Sequence, residues 1–537
     1  MTEHTVTLRG ERVELPTVRD LVVARAELGD KVLMVSREEE LTYREADLRS
    51  NRIANSLLAL GIEPGDVVST FMYNSIDHAA FWFGCAKLGV IWAPLNISLR
   101  GDDLAWTVGN TQAKLVVVEA ELLEHFLEVR GDLPGVEIEV LWNDDEAAAA
   151  QSMVPFSKLL EGDDLLPDAE VTATTPHAIT YTGGSTGMPK GVLVSNLHHI
   201  AAAMRFREVA QPTPADVHMP FGQLFHGSGQ QNGLLGPMYC EMTTIMPRWF
   251  SASRYWELVK RYGVTTVDPI GPIMIALLAQ PPSDYDRGHS VRVAIGSACG
   301  QIAPERRDEF EERFGIPLHE QFSQTETGVV MISETPDDRR KGSSGKGRGW
   351  AEVSIRDEDD FPLSAGEIGE IALRPSEPHV FMIGYFDNAK ATAESWRNMW
   401  HHTGDLGYLD EDGYLFFIGR QAHWMRRKGE NVSSYEVERA LDLHPDVVEA
   451  AVVGVPSDMG DEDIKGYVVI ADRAEFDPDA LVEWCEERLA YFKVPRYLEQ
   501  IEVLPRSAAK GDPDRTKLRE RGAGDAWDRT AQAGATS

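Results

Sequence analysis

The sequence predicts an α/β fold with a large, multilayered N-terminal domain and a small α+β C-terminal domain. Two observations carry this prediction. From about Leu41 to Ile295, apolar strand patterns alternate with helical patterns, which is typical of stacked α/β layers. The chain also has 537 residues, which is too many for a single hydrophobic core.

The alternation is clearest in six N-terminal segments. Val67–Met72 has the composition of a buried strand, and the helix pattern that follows it ends before another apolar strand. The predicted strands are Val67–Met72, Lys114–Val118, Val264–Val267 and Val291–Ile295, and the predicted helices are Ala79–Leu88 and Ile273–Leu278.

The pattern of predicted secondary structure changes after about Gly342. Short strand patterns separated by Gly and Asp turns predict a small β-rich subdomain there. A basic stretch opens after Arg420, and strand patterns at Ala450–Val453 and Gly466–Ile470 belong to the small α+β unit. We predict an N-terminal domain at 1–420, a C-terminal domain at 421–520 and, because the last residues are small and polar, a disordered tail at 521–537.

The composition predicts a soluble, cytoplasmic protein. Hydrophobic residues make up 43% of the chain, no apolar run approaches the length of a membrane span, and the first residues lack the pattern of a secretory signal. The formal net charge of −34 argues against nucleic acid or anionic membranes as partners. The four cysteines are far apart in sequence, so we expect free thiols and no paired-cysteine metal site.

The strongest local motif is Thr182–Gly191, Thr-Gly-Gly-Ser-Thr-Gly-Met-Pro-Lys-Gly, which lies between the strand patterns Ala178–Tyr181 and Val192–Val194. Glycines allow backbone N–H groups to converge on an anion, and hydroxyls and a lysine add donors and charge. The motif is not a Walker A loop, because two residues separate its last internal glycine from the lysine. A flexible Gly/Ser loop is the alternative. The residues predicted to bind a nucleotide polyphosphate are Thr182, Gly183, Ser185, Thr186, Gly187 and Lys190.

This loop resembles the phosphate-binding signature of the adenylate-forming superfamily, which includes acyl-CoA synthetases, luciferases and peptide-synthetase adenylation domains. With further motifs in the expected order, the resemblance extends over about residues 17–519. It implies an acyl-CoA synthetase that forms a thioester through an acyl-adenylate, with ATP or AMP, coenzyme A and Mg²⁺ as cofactors. It also implies a mobile C-terminal domain that alternates between an adenylating and a thioesterifying pose.

Two segments resemble the parts of the family that surround the acyl group. Gln223–Gly229 places His226 where the family has a gate to the acyl pocket, and Ala294–Gly300 places Ser297 and Ala298 against adenine and the acyl group. The small side chains of the second segment suit a bulky, hydrophobic acyl group. The structural alternatives are a hydrogen-bonded core histidine and a closely packed strand end.

The segment Glu320–Glu326, Glu-Gln-Phe-Ser-Gln-Thr-Glu, resembles the family pattern Tyr-Gly-x-Thr-Glu. The resemblance implies that Phe322 stacks on adenine, Thr325 contacts the α-phosphate and Glu326 holds Mg²⁺. One carboxylate is enough, because Mg²⁺ usually also takes substrate phosphates as ligands. The predicted nucleotide-binding set includes two further residues of this segment, Glu320 and Ser323, the second of which replaces the usual glycine.

His402–Gly407 closely matches the Thr-Gly-Asp segment of the family. The match assigns Asp405 to the ribose, because a carboxylate accepts hydrogen bonds from both hydroxyls. Arg420 has a matching role near the ribose. A carboxylate in an ordinary turn is the alternative interpretation.

Arg426–Val432 resembles the loop that enters the active site for thioester formation. Arg427 is the candidate for binding nucleotide or CoA phosphates and Gly429 for the thioester step, because a local basic cluster suits the phosphates of CoA. A solvated run of charged residues is the alternative.

The chain departs from the family where a lysine normally bridges the substrate carboxylate and the α-phosphate. Counting from the two ends of Leu504–Arg519 places that lysine at Gly511 or at Asp512, and Lys510 is the nearest lysine. Loss of one such preorganised charge is typically worth about 3–4 kcal/mol, or about 10²–10³ in rate. The hinge also departs, because Ala422 replaces the usual Asp or Lys.

These departures leave three hypotheses. In the first, adenylation is impaired, and the protein takes a preformed acyl-AMP from a partner ligase and transfers the acyl group to CoA. In the second, it is a complete ATP-dependent carboxylic acid–CoA ligase in which Lys510 functions despite the shift. In the third, it binds acyl-adenylates or nucleotides without catalysis, which the retained Lys190, Glu326 and Asp405 argue against.

Overall fold

The structure is a computed structural model, and it describes residues 6–133, 135–184, 187–296, 304–420, 424–427, 430–457, 462–506 and 513–530. Over these ranges, two large sheets and one smaller sheet form the N-terminal part, and a separate sheet forms the C-terminal part. The α/β fold class, with a large N-terminal and a small C-terminal unit, is therefore confirmed.

Sheet A contains eight strands within the described residues. Its inner strands are parallel, as expected where helices connect successive strands, and the last two strand pairings at one edge are antiparallel. Two predicted strands are present here with ends shifted by one residue. In spatial order the strands are Gly384–Tyr385, Gly187–Ser195, Pro176–Gly184, Ile91–Pro94, Val67–Phe71, Leu115–Glu119, Ile138–Trp142 and Val154–Pro155.

Sheet B also contains eight strands within the described ranges, and it is parallel except at its two edges. The predicted strand at Val264–Val267 is shorter than expected, and the one at Val291–Ile295 is displaced by one to two residues. In spatial order the strands are Gly328–Ser333, Leu318–Gln324, Val293–Gly296, Thr266–Val267, Val217–Met219, Thr243–Ile245, Val32–Ser36 and Glu39–Thr42.

Two helices lie in the largest hydrophobic core, which joins residues of both sheets. Ile76–Leu88 and Asn196–Ala210 are buried over almost their whole length, because apolar residues occupy all sides of each helix. Ser75 and Ser195 cap their N-termini by accepting a hydrogen bond from the backbone N–H three residues later.

The other described α-helices are Val18–Arg25, Tyr43–Ala59, Gly101–Thr111, Leu123–Val129, Asp145–Ala150, Gly227–Gln230, Gly236–Tyr239, Ala252–Arg261, Gly271–Leu278, Pro304–Phe314, Ala389–Ser395, Ser434–Asp442, Pro478–Glu486 and Arg515–Glu520. Short 3₁₀ turns span Ala26–Leu28, Ala120–Leu122, Arg130–Asp132 and Phe156–Glu161, and a π-helical turn spans Gln231–Leu235.

Sheet C forms the predicted β-rich region, with strands Ala351–Arg356, Gly369–Pro375, Trp400–Leu409, Trp396–Arg397 and Leu415–Arg420. A hairpin of Trp424–Arg427 and Glu430–Ser433 follows it. Sheet D, in the C-terminal unit, contains Val447–Pro456, Glu462–Ile470, Tyr497–Gln500 and Trp527–Asp528. A small hairpin, Val6–Leu8 with Glu11–Val13, precedes these elements near the N-terminus.

The prediction of a disordered tail from residue 521 is wrong for the residues that the structure describes up to 530. Trp527–Asp528 pairs with Tyr497–Gln500 as an edge strand of sheet D, and Arg496 forms an ion pair with Asp528. This tail strand has only two residues and few apolar side chains, so composition did not reveal it. Among the described residues, no helix combines the length and the apolar character that crossing a membrane requires.

Candidate active site

The glycine-rich motif lies at the end of a β-hairpin in sheet A. Pro176–Gly184 pairs with Gly187–Ser195, and Thr182 lies opposite Lys190. The Thr182 hydroxyl donates a hydrogen bond to the Lys190 carbonyl at 3.4 Å. The sequence predicted short strands on both sides of a loop, whereas the strands extend into the motif, so Lys190 is fixed by strand pairing.

Glycines flank the tip of this hairpin. Gly184 lies opposite Gly187, and Gly183 precedes them in the first strand. Ser185 and Thr186, which were predicted to contact phosphate, lie outside the described residues. At Gly183, Gly184 and Gly187 no Cβ atom limits the approach of an anion to the backbone. Phosphate binding by Gly183, Ser185, Thr186 and Gly187 stays a prediction.

Tyr385 links Lys190 to Glu326. Its hydroxyl donates a hydrogen bond to the Glu326 Oε1 at 2.8 Å, and the Lys190 Nζ lies 5.0 Å from the centre of its ring. Burial, and after it the adjacent carboxylate, raise the pKa of Tyr385, so the hydroxyl remains a donor. The ring therefore separates the cation predicted to bind phosphate from the carboxylate predicted to bind Mg²⁺.

Gln324, Asp405 and Arg420 form a second group. The Gln324 Nε2 donates hydrogen bonds to the Asp405 Oδ2 at 2.7 Å and to the Thr403 carbonyl at 2.9 Å. Asp405 and Arg420 are cross-strand partners in sheet C, and the Arg420 Nε lies 3.4 Å from the Asp405 Oδ1. The structure therefore brings together the two residues that the sequence assigned to the ribose.

Sequence reasoning missed Tyr385, Gln324 and His401 as members of this site. His401 lies 3.3 Å from the Gln324 Oε1 through its Nε2, and burial lowers the pKa of its imidazole. Gln324 lies inside one recognised motif, and His401 directly precedes another. Their positions in or beside these motifs could therefore have indicated that both residues belong to the site. Tyr385 is in a strand of two residues, whose pairing with Val192 no local pattern reveals.

A cavity of about 150 Å³ lies beside these groups, and its lining includes His226, Ser323 and Thr325. The structure thus places the predicted gate at the same cavity as the residue predicted to contact the α-phosphate. The ring of His226 lies 4.5 Å from that of Phe225, centre to centre. The remaining lining residues are Phe221, Gly227, Ser228, Gln231, Asn232, Asp268, Ile270, Gln321, Gln324 and Val329.

The strand Leu318–Gln324 directs alternate side chains to opposite faces. Ser323 lines the cavity, whereas Glu320 is enclosed on the other face, 3.8 Å from the Arg307 guanidinium. Phe322 is also buried, and the centre of its ring lies 6.0 Å from that of Phe417. The stacking of Phe322 on adenine stays a prediction. The Glu320 carboxylate lies beside an arginine of the protein itself, and nucleotide binding by Glu320 also stays a prediction.

The structure does not bring Arg427 to the cavity lining. Its guanidinium is buried in the C-terminal unit, where it donates hydrogen bonds to the carbonyl groups of Phe492, at 3.2 Å, and of Val494. Its Nε lies 3.5 Å from Asp463. Because these acceptors are inside one unit, Arg427 stabilises that unit in this conformation, and its contact with CoA stays a prediction.

Several predicted residues lie outside the described part of the chain. They are Ser297 and Ala298 of the acyl segment, Gly429 of the thioester loop, Lys510 and the hinge residue Ala422. Their predicted roles stay predictions.

Glu326 fits the predicted Mg²⁺ site. Its Oε1 accepts the Tyr385 hydroxyl, and a single carboxylate together with substrate phosphates is a common ligand set for Mg²⁺. No cluster of three or more His, Cys, Asp or Glu residues that could hold a metal occurs in the described ranges. A site of this kind therefore depends on the nucleotide for most of its ligands.

Comparison with known proteins agrees with this geometry. The family described as AMP-binding enzyme matches residues 22–386, and its C-terminal domain matches residues 436–510. The chain belongs to the AMP-binding enzyme family and is an adenylate-forming acyl-CoA ligase. It is 32% identical to a crotonobetaine/carnitine–CoA ligase of Escherichia coli O8 over 472 residues, which cover 87% of this chain and 91% of the relative.

Other comparisons extend to Salmonella and to solved structures. This chain is 31% identical to the crotonobetaine/carnitine–CoA ligase of Salmonella typhimurium over 490 residues, which cover 90% of this chain and 94% of the relative. The anthranilate CoA ligase AuaEII in complex with anthranoyl-AMP is similar with a TM-score of 0.86 at 24% identity, covering 96% and 98% of the two chains. The o-succinylbenzoate CoA synthetase of Bacillus subtilis in complex with AMP has a TM-score of 0.81 at 24% identity, covering 94% and 99%.

Proposed function

We propose that this ligase holds the AMP part of an acyl-adenylate between the glycine-rich hairpin and the Asp405 carboxylate, and transfers the acyl group to CoA. The observation that carries the proposal is the convergence of two groups on one region. The first group consists of Lys190, Tyr385 and Glu326. The second group contains Gln324 and Asp405, which are joined by a hydrogen bond of 2.7 Å. In this arrangement the first group faces the phosphate and Mg²⁺, and the second accepts the ribose hydroxyls.

We further propose that the first half-reaction, adenylation by ATP, is weak in this protein. The residues on both sides of the stretch that carries Lys510 support this. Arg506 and Pro513 form a β-bridge, and the Asp514 N–H donates a hydrogen bond to the Pro505 carbonyl at 2.7 Å. These contacts join residues 505–506 to 513–514, and the sequence between them has no lysine at the position that the resemblance assigns to catalysis. The thiol attack on an existing acyl-AMP does not need that lysine.

The complete two-step ligase is the second candidate. The match of the C-terminal family domain through residue 510, and relatives that are named as ligases, favour it. A partner enzyme would then be unnecessary, because the same chain would make the acyl-AMP itself. The acid is not fixed by this comparison, although crotonobetaine and carnitine are reasonable first members of a substrate panel.

Two assays separate the candidates. In the first, the protein receives ATP, Mg²⁺ and a panel of carboxylic acids, and release of pyrophosphate is followed. In the second, it receives synthetic acyl-AMP and CoA, and acyl-CoA and AMP are measured. Weak adenylation predicts a slow first assay and a fast second one, whereas failure of both with all acids would contradict an acyl-CoA ligase.

The variant Lys510→Ala sharpens this test. The matched control is Lys517→Ala, which removes an exposed lysine seven residues later whose Nζ lies 3.2 Å from Asp514. If Lys510 acts in adenylation, its removal lowers pyrophosphate release by about 10²–10³-fold and leaves acyl transfer to CoA unchanged. If pyrophosphate release is already slow in the unmodified protein and neither Lys510→Ala nor Lys517→Ala lowers it further, the result supports weak adenylation.

A further inference from the structure

Residues 492–496 of the C-terminal unit, here called the connector, contact the first strand of the hairpin that begins at Trp424, here called the basic hairpin. The Arg427 guanidinium donates hydrogen bonds to the carbonyl groups of Phe492, at 3.2 Å, and of Val494. Both acceptors are backbone groups in a stretch that is neither helix nor strand. The first strand of the basic hairpin is therefore tied to the connector by a buried arginine.

The connector also holds the helix that follows the basic hairpin. The Lys493 Nζ donates hydrogen bonds to both carboxylate oxygens of Glu436, at 2.8 Å and 2.9 Å. Glu436 lies in the first turn of the helix Ser434–Asp442, which begins directly after the second strand of the hairpin. The connector thus contacts the chain on both sides of the basic hairpin.

Arg496, the last residue of the connector, joins it to the tail strand. Its Nε and Nη2 donate to the two carboxylate oxygens of Asp528 at 3.2 Å and 3.1 Å, and its Nη1 donates to the Asp463 Oδ2 at 2.7 Å. The other oxygen of Asp463 lies 3.5 Å from the Arg427 Nε. Charges of alternating sign therefore run from the tail to the basic hairpin, and the two-pronged contact with Asp528 fixes the orientation of the Arg496 guanidinium.

The tail has contacts of its own that fix the position of Asp528. The tail strand pairs with an edge of sheet D, and the Arg529 N–H donates a hydrogen bond to the Arg496 carbonyl at 3.0 Å. The Lys465 side chain is fully buried, and its Nζ donates to the carbonyl groups of Gly522 and Ala523 at 2.9 Å and 3.0 Å. Because release of the tail would leave a buried ammonium group without these acceptors, the tail is held in place.

We infer that the tail strand positions the basic hairpin for thioester formation, and that Asp528 is a positioning residue that acts through Arg496 and the connector. This inference rests on the proposed function, because the hairpin contributes to acyl transfer only if the protein transfers an acyl group to CoA. The match to the C-terminal family domain covers residues 436–510, so the tail lies beyond it. The role of the tail is therefore argued from the contacts of this chain.

Loss of the Asp528 carboxylate removes the partner that orients Arg496. The guanidinium then keeps Asp463 as its anionic partner, and the connector is less firmly held where it contacts the basic hairpin. Catalysis is sensitive to small displacements of the groups that position the reactants, so a looser hairpin slows acyl transfer. The nucleotide groups of the N-terminal part have no contact with this chain of charges among the described residues.

The variant Asp528→Asn tests the role of the carboxylate, because it keeps the size of the side chain and removes its charge. Acyl transfer from synthetic acyl-AMP to CoA is measured together with the Kd for AMP. We expect kcat/KM for CoA to fall by about 3–10-fold and the Kd for AMP to stay unchanged. The matched control is Asp525→Asn, which removes the same charge from an exposed position of the same tail. Equal kcat/KM values in the two variants would overturn the inference.

Hydrogen exchange separates positioning from a general loss of stability. In Asp528→Asn, the amides of the basic hairpin are expected to exchange at least about 5-fold faster, because the hairpin opens locally. The amides of Val447–Pro456, at the opposite edge of sheet D from the tail, are expected to keep their rates. Equal acceleration at both places would show that the tail only stabilises the unit, and would overturn the positioning role.

A double variant tests whether the effect passes through the connector. Once Arg427→Ala has removed the contact between the connector and the hairpin, Asp528→Asn is expected to lower kcat/KM for CoA by less than it does alone. The measurement is made at a temperature at which both single variants are folded. Two effects that simply multiply would contradict the proposed route.

Failure of this inference is distinguishable from failure of the proposed function. If the unmodified protein does not transfer an acyl group from acyl-AMP to CoA, the proposed function fails, and the inference fails with it. If transfer occurs and Asp528→Asn behaves like Asp525→Asn, only the inference fails. Should Asp528→Asn not fold, Asp528→Glu takes its place, because it keeps the charge but displaces the carboxylate, with the same expected difference between the basic hairpin and Val447–Pro456.

Discussion

The groups of the N-terminal part that are predicted to bind nucleotide and the candidate residues of the C-terminal unit differ in their contacts. In the N-terminal part, side chains from three sheets meet. Glu326 contacts Tyr385, and Gln324 contacts Asp405. In the C-terminal unit, Arg427 contacts acceptors within its own unit. The first set joins side chains of separate sheets, whereas the printed acceptors of Arg427 all belong to its own unit.

This difference indicates where the conformational change must occur. A residue whose hydrogen bonds are satisfied internally enters another site only with its whole unit, because breaking those bonds leaves buried polar groups unpaired. If the segment that carries Arg427 contacts the nucleotide or CoA, we therefore expect it to do so through rotation of the whole C-terminal unit. The N-terminal groups need no comparable movement.

The largest expected effect concerns Asp405. The variant Asp405→Ala removes the acceptor for both ribose hydroxyls, and hydrogen bonds to a charged group contribute about 1.5–3 kcal/mol each. We expect kcat/KM to fall by about 10²–10³-fold in acyl transfer from acyl-AMP and, equally, in any ATP-driven reaction. Steady-state kinetics of both half-reactions measure this, with exposed Glu411→Ala as the control. An effect on only one half-reaction would contradict a shared AMP site.

A smaller effect on activity but a clear effect on stability is expected for Arg427. The variant Arg427→Ala leaves the carbonyl groups of Phe492 and Val494 without this donor, so we expect the free energy of unfolding of the C-terminal unit to fall by about 2–3 kcal/mol. Hydrogen exchange of sheet D amides measures this loss. The control is exposed Arg519→Ala. Unchanged protection with a raised KM for CoA would show that Arg427 acts mainly on CoA.

The sequence predicted the parts of the site that lie within continuous motifs. Asp405 and Arg420 were assigned to one ligand from separate segments, and strand pairing places them 3.4 Å apart. The fold class was also predictable, because buried parallel strands and the helices between them have strong local patterns. The fold class and the two motifs depend on information within a few neighbouring residues, and the role of Asp405 and Arg420 at the ribose stays a prediction.

The parts that could not be predicted depend on pairing between distant and short elements. Tyr385 reaches the site because a two-residue strand pairs with Val192 and Leu193, and the tail strand Trp527–Asp528 is equally short. The polar lining of the cavity beside these groups includes Asp268, which follows the two-residue strand Thr266–Val267. None of these features produces a periodic pattern of apolar residues.

An intermediate effect is expected for Tyr385→Phe, which removes the hydroxyl bonded to Glu326 but keeps the ring beside Lys190. A hydrogen bond to a carboxylate contributes about 1.5–3 kcal/mol, and because this bond only orients the predicted Mg²⁺ ligand, part of it is expressed in binding, so we expect the Kd for ATP with Mg²⁺ to rise by about 3–10-fold. Calorimetric titration measures this value, and AMP titrated without metal is the control. An equal loss of AMP affinity would contradict a specific role of Tyr385 in orienting the Mg²⁺ ligand.

The smallest expected effect concerns one of the contacts between the two units, an ion pair. The Arg439 Nη2 lies 2.8 Å from the Glu305 Oε1, and both side chains are exposed. An exposed ion pair contributes about 0.2–1 kcal/mol, so Glu305→Gln should lower the melting temperature by no more than about 2 °C. If this contact holds the C-terminal unit in its present position, the variant releases it and lowers the KM for CoA by a small factor, up to about 3-fold. Differential scanning fluorimetry and the acyl-AMP assay measure the two quantities, and a raised KM would show that the contact belongs to the thioesterifying pose instead.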